Sequence, residues 1–199
     1  MNAERVRVYG KRGDMCMEFQ IKIVEGHDPS SYFWFRPVIL KESGVILWDE
    51  VTELEEEFSI EEGDVDCFLS HFFYKHFDEN LTYNKRREEE IEDRIHGFEW
   101  YLTYNFFAYD GLREMVKDIE ETAALLETDY DNPRLDDVKE KFSIYYMCSR
   151  DDEDWMNPND TSVRRHISVV IDFYHRFTKR ITAMMDNNKE TNVISIMGP

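Results

Sequence analysis

The stretch from Asp160 to Asp186, DTSVRRHISVVIDFYHRFTKRITAMMD, constrains this chain more than any other. Val163, Ile167, Val170, Tyr174, Phe177, Ile181 and Met184 recur at alternating steps of four and three. Those steps place the side chains on one face of a helix. The spacing predicts a long final helix over 160–186, with Asp160 or Thr161 as its N-cap. Ile171, Phe173 and Met185 widen the apolar arc beyond the narrow seam of a two-stranded coiled coil. The stretch therefore reads as a core helix of a globular domain. Its opposite face carries Arg165, Asp172, Arg176 and Lys179, the one locally basic run in an acidic chain. The simplest counter-charges for this edge are the chain's own carboxylates.

A helix with so wide an arc needs an apolar surface to cover, and the first fifty residues offer one. Arg5–Tyr9 is a short β-type run closed by Gly10 and Gly13. Met15–Val24 alternates, with Met15, Met17, Phe19, Ile21 and Ile23 on one face and Glu18, Gln20 and Lys22 on the other. Period two over that length predicts a half-buried strand. Tyr32–Leu40 is rich in β-branched and aromatic residues, although Pro37 restricts it to an edge position or a bulge. Val45–Trp48 is a further short apolar run. Residues 1–50 thus read as an antiparallel meander.

Residues 51–63 read as an acidic, solvated connector with no Lys or Arg. Glu53, Glu55, Glu56, Glu57, Glu61, Glu62 and Asp64 are the candidate interaction residues of the chain, and Asp64 is also positioned to cap a helix over Val65–Phe77. From residue 64 to 199 the pattern is mostly helical. Residues 98–109 (FEWYLTYNFFAY) are the exception, where aromatic enrichment favours a strand and an aromatic helix is the alternative. Asp110 stands where it would cap a helix over Gly111–Glu127, and Arg134–Cys148 carries a further helical pattern. Val193–Met197 is an apolar tail suited to a strand or to packing on the core. Strands early and helices late predict an α+β fold. It is an N-terminal antiparallel sheet of about four or five strands covered by C-terminal helices, forming a single domain over 1–199.

Composition narrows the function classes. The chain has 199 residues, 43 acidic against 24 basic, for a formal net charge of −19. A field of that sign opposes nucleic acid and anionic membrane surfaces and favours basic partners. The three cysteines, Cys16, Cys67 and Cys148, form no CxxC motif, and the first residues lack a secretory signal. These features predict a cytoplasmic protein.

Signatures of known chemistry are missing. No GxSxG, Walker-type phosphate loop, dinucleotide fingerprint or HExxH occurs. Cys67 with His71, and Glu92 with His96, are four-residue pairs that each lack the second pair a metal site needs. Asp129 and Asp131 resemble the start of a calcium loop, but Pro133 and Arg134 occupy the turn, so an Asx-turn between helices is the reading. Asp172 and His175 sit at the spacing of a carboxylate–imidazole pair, and His166 falls on the apolar arc. No cofactor or metal is expected. The resulting expectation is a non-enzymatic, acidic protein-interaction protein, immunity- or inhibitor-like, acting on a basic protein partner. The alternatives are an enzyme whose site is assembled from His71, His166, His175 and distant carboxylates, or a structural homo-oligomer such as a homodimer.

Overall fold

A computed structural model describes residues 20–26, 31–40, 51–85, 97–98, 100, 104–142, 164 and 167–199. The fold is α+β. Its strands are β1 (Ile23–Glu25), β2 (Tyr32–Leu40), β3 (Val51–Glu53), β4 (Phe58–Glu61), β5 (Tyr104–Ala108) and β6 (Val193–Met197). They form one antiparallel sheet in the order β1-β4-β2-β6-β5, with β3 also on β2. The helices are α1 (Glu62–Phe68), α2 (Ser70–His76), α3 (Tyr109–Thr128), α4 (Asp136–Lys141) and α5 (Ile167–Asn187).

The sheet is not the N-terminal unit that the meander implied. The C-terminal strand β6 lies between β2 and β5, pairing Phe35 with Ile196 on one side and Asn105 with Ile196 on the other. Both ends of the chain therefore build one sheet. Of the expected meander, Arg5–Tyr9, Met15–Phe19 and Val45–Trp48 lie outside the described residues.

Pro37 sits in β2, a central strand, and the bulge reading explains how. Phe35 pairs with Phe58 and Val38 with Glu53, so residues 54–57 stand opposite only Arg36 and Pro37. The Pro37 carbonyl accepts from Leu54 N–H at 3.1 Å. A strand residue points its N–H and C=O to the same side. The missing N–H thus faces the bulge, and no ladder bond to β6 is lost.

The acidic connector is a second correction. Residues 51–61 hold β3 and β4, and Phe58 and Ile60 are fully buried on the core face. Asp64 caps nothing: α1 starts at Glu62 after Glu61, and neither its N-cap nor that of α2 has a side-chain hydrogen bond. The helix expected over Val65–Phe77 is interrupted at Leu69, where Ser70 Oγ donates back to the Asp66 carbonyl at 2.6 Å. Asp110 likewise lies in the first turn of α3, behind Ala108, and pairs with Arg113 at 3.0 Å. Phe106 on β5 exchanges both backbone hydrogen bonds with the buried Asn84 carboxamide, at 2.8 and 3.0 Å. Asn84 thereby stands in for a neighbouring strand at the sheet's edge.

Aromatic packing fixes the helices on one face. Phe35 stacks on Phe58 at 4.5 Å, and Phe177 of α5 meets Phe35 edge-on at 5.6 Å. Phe73 of α2 packs on Phe35 and Phe107 at 5.9 and 6.0 Å. Offset and edge-on rings add specific geometry to ordinary apolar burial. Helix α3 then packs on α5 and α2 through Leu112, Met115, Ile119 and Ala123, all fully buried. Among the described residues no helix is long and apolar enough to cross a membrane.

Candidate functional site

The acidic row singled out in the sequence is bound into the fold by two arginines. Arg36, on the face of β2 away from the helices, pairs with Glu53 and Glu57. Tyr104 Oη donates to the other Glu53 oxygen at 3.0 Å. Burial pushes the Tyr104 phenol above its ordinary range, with the nearby Arg36 charge opposing it. On the helical side, Arg180 reaches from α5 to Glu25 at 2.8 Å and to Glu56 at 2.6 Å. Its guanidinium lies 4.9 Å from the centre of the Phe58 ring. Asn188 donates to the second Glu56 oxygen at 2.6 Å. The basic edge of the long helix is thus met in part by the chain's own carboxylates, and Arg164 pairs with Asp131 at 3.3 Å.

The remaining members of the row differ in kind. Glu55 is exposed, and Glu61 and Glu62 are half-buried. Asp64 is 5% exposed. Burial raises its carboxyl from 3.8 to about 7, the Glu61 charge adds to the rise, and a hydrogen bond from the Lys22 backbone opposes it. Asp64 is therefore a core group rather than a surface contact.

The histidines do not gather as one site. His175 Nδ1 bonds Glu120 of α3 at 2.8 Å, while Asp172 pairs with Arg176 at 2.7 Å. The Asp172–His175 pair suggested by spacing is absent because each finds a better-placed partner. Glu120 also receives the Thr178 hydroxyl. His166 lies outside the described residues. Asn132 accepts from Arg134 N–H at 3.0 Å and donates to Asp129 at 2.9 Å, which is the Asx-turn expected between helices. Cys67 is buried in the core on α1. Among the described residues no group of three or more His, Cys, Asp or Glu side chains stands ready for a metal ion.

One concave feature does combine polar groups. A cleft of about 200 Å³ opens where α2, α3 and the start of α4 meet. His71 and Lys75 line it from α2, Asp118 and Thr122 from α3, and Arg134 from the 3₁₀ turn Pro133–Leu135. Asp118 Oδ2 receives Lys75 at 2.7 Å and His76 at 2.9 Å. Burial works against the charged carboxylate, but these two donors outweigh it and hold Asp118 below its ordinary value. Burial, then the Lys75 charge, lowers His71, with Asp118 and Asp137 opposing. His71 and His76 both face α3. Local spacing could not reveal this cleft, because its walls are joined only by tertiary packing.

A second, more open groove lies between Gln20–Val24 and the start of α5, lined by Ile21, Val169 and Arg176. No protein-family model, curated protein or solved structure matches this chain.

Proposed function

We propose that the protein is a non-enzymatic, cytoplasmic binding protein that docks a basic protein partner, in the manner of an immunity or inhibitor protein. The observation that carries this reading is the location of the surplus charge. The chain has a formal net charge of −19. Glu53 and Glu57 share Arg36, and Glu25 and Glu56 share Arg180, so these carboxylates are tied into the fold and half their charge is offset. The exposed carboxylates Glu114 and Glu127 on α3, and Asp137 and Glu140 on α4, make no ion pair among the described residues. This reading puts the docking surface on the helical side, with Glu53 and Glu55 the exposed members of the original row. Such a surface attracts a basic protein over the range of a Debye length, about 10 Å at 0.1 M salt, and repels nucleic acid and anionic membranes.

The test is capture from lysate of the source cells on the immobilised protein. A basic protein should be retained at low salt and released as ionic strength rises. Glu127→Lys with Glu140→Lys should weaken capture at least about tenfold, an amount equal to about 1.4 kcal/mol. Retention of no protein at low or moderate salt would sink the reading. A toxin gene beside this one would identify the partner class.

A further inference from the structure

We propose that the cleft between α2, α3 and α4 is a binding site for a small zwitterion of amino-acid size, independent of the docking surface above. Its volume of about 200 Å³ is roughly that of seven waters in the liquid. Drug-sized ligands occupy larger pockets, about 300–1,000 Å³. The occupant is therefore small.

Its charge follows from the walls. Lys75 and Arg134 face Asp118 and Glu121, so two cations stand against two carboxylates. The imidazole of His71 is held toward its neutral form by burial and by Lys75. A simple anion entering here meets both carboxylates, and a simple cation meets both basic groups. A ligand carrying one charge of each sign satisfies both ends and leaves no like charges opposed.

The capacity to bind is also present. Lys75 and His76 both engage Asp118 Oδ2, leaving Oδ1 without a hydrogen bond among the described residues. Glu121 and Arg134 stand 3.5 Å apart with side chains 50% and 70% exposed. That is longer than a charge-assisted hydrogen bond, so the pair opens easily. Thr122 is 7% exposed, lines the cleft, and makes no hydrogen bond among the described residues. A mid-helix threonine either bonds back to the carbonyl four residues earlier or turns its hydroxyl outward. Among the described residues His71 likewise makes no hydrogen bond, its ring meeting Phe72 edge-on at 5.3 Å. These donors suit a ligand carboxylate, with Arg134 beside them. Asp118 Oδ1 and Glu121 suit its ammonium group, and Leu125 and Val138 suit a short aliphatic body.

The experiment is a heteronuclear NMR titration of the full chain with glycine, L-alanine and L-valine, alongside acetate and methylamine as the separate charged halves. At least one amino acid should give saturable shifts at Glu121, Thr122 and Arg134 with a Kd of about 1 mM or tighter. Acetate and methylamine should bind at least about tenfold more weakly. Glu121→Gln and Arg134→Gln, both at exposed side chains, should each weaken binding about tenfold or more while the rest of the spectrum is unchanged. Thr122→Val should do the same through loss of the hydroxyl alone. The proposal is overturned if no amino acid gives saturable shifts at the cleft. It is overturned equally if acetate or methylamine binds as well, which would mean an adventitious ion only.

Discussion

Replacing Val170 and Phe177 together by Asp is expected to leave the protein without a cooperative thermal transition. Both side chains are fully buried. The Phe177 ring stands edge-on to Phe35 and Phe58 at 5.6 and 6.3 Å, joining α5 to the two strands beneath it. Truncating a core phenylalanine costs about 3–5 kcal/mol before any charge is introduced. Burying an unpaired carboxylate adds several more. A domain's whole stability is about 5–15 kcal/mol, so two such changes exceed what the fold can lose. Far-UV circular dichroism on heating is the measurement. Lys179→Asp, on the exposed side of the same helix, is the control and should stay within about 0.5 kcal/mol of the parent. A cooperative melt in the double variant would show that α5 is peripheral to the fold.

The second large effect is a change in pH dependence at Asp64. Its carboxyl ionises at about 7 in the folded chain, against an ordinary value of 3.8. The sign follows from which state holds the proton. Between those values the folded state binds a proton that the unfolded state has released, so stability falls as pH rises. The contribution is fully favourable below the ordinary value and is lost as pH passes through about 7. Asp64→Asn keeps an acceptor for the Lys22 N–H but cannot ionise. The variant should therefore be more stable than the parent by on the order of 2–4 kcal/mol at pH 8, with the difference vanishing near pH 4. Urea denaturation of the pair across that range measures it. Stability curves that run parallel from pH 4 to pH 8 would show that Asp64 is solvated.

How far the sequence announced this fold depends on how local each signal was. The long helix was legible because its apolar positions obey one period, and Val170, Tyr174, Phe177, Ile181 and Met184 are all buried. The strand character of Tyr32–Leu40 was legible from its β-branched and aromatic residues, whereas Val193–Met197 read equally as a strand or as a tail packed on the core. The place of β6 between β2 and β5 was not, because pairing Phe35 with Ile196 joins residues at opposite ends of the chain. The row from Glu53 to Glu57 read as a free acidic stretch because the cations that tie it into the fold and offset part of its charge come from a distance. Arg36 comes from the preceding strand and Arg180 from the last helix. With those cations unseen, the acidic density outweighed the alternation of Phe58 and Ile60. The Asp172–His175 spacing misled in the opposite sense. A local match was present, yet Glu120 on α3 takes the imidazole. The cleft at Asp118 had no signal in the order of residues, because its polar groups come from three separate elements.

The claim on which the rest depends is that this acidic row is a structural part of the fold, held by Arg180 and Arg36, and not a surface kept free for a partner. A double-mutant cycle between Arg180 and Glu56, using Arg180→Met and Glu56→Gln, tests it most directly. The two side chains are 18% and 26% exposed and meet at 2.6 Å. Urea denaturation of the parent, both single variants and the double variant should give a coupling energy of about 1–3 kcal/mol. A coupling below about 0.3 kcal/mol, the range of independent sites, would contradict it and return Glu56 and its neighbours to the surface.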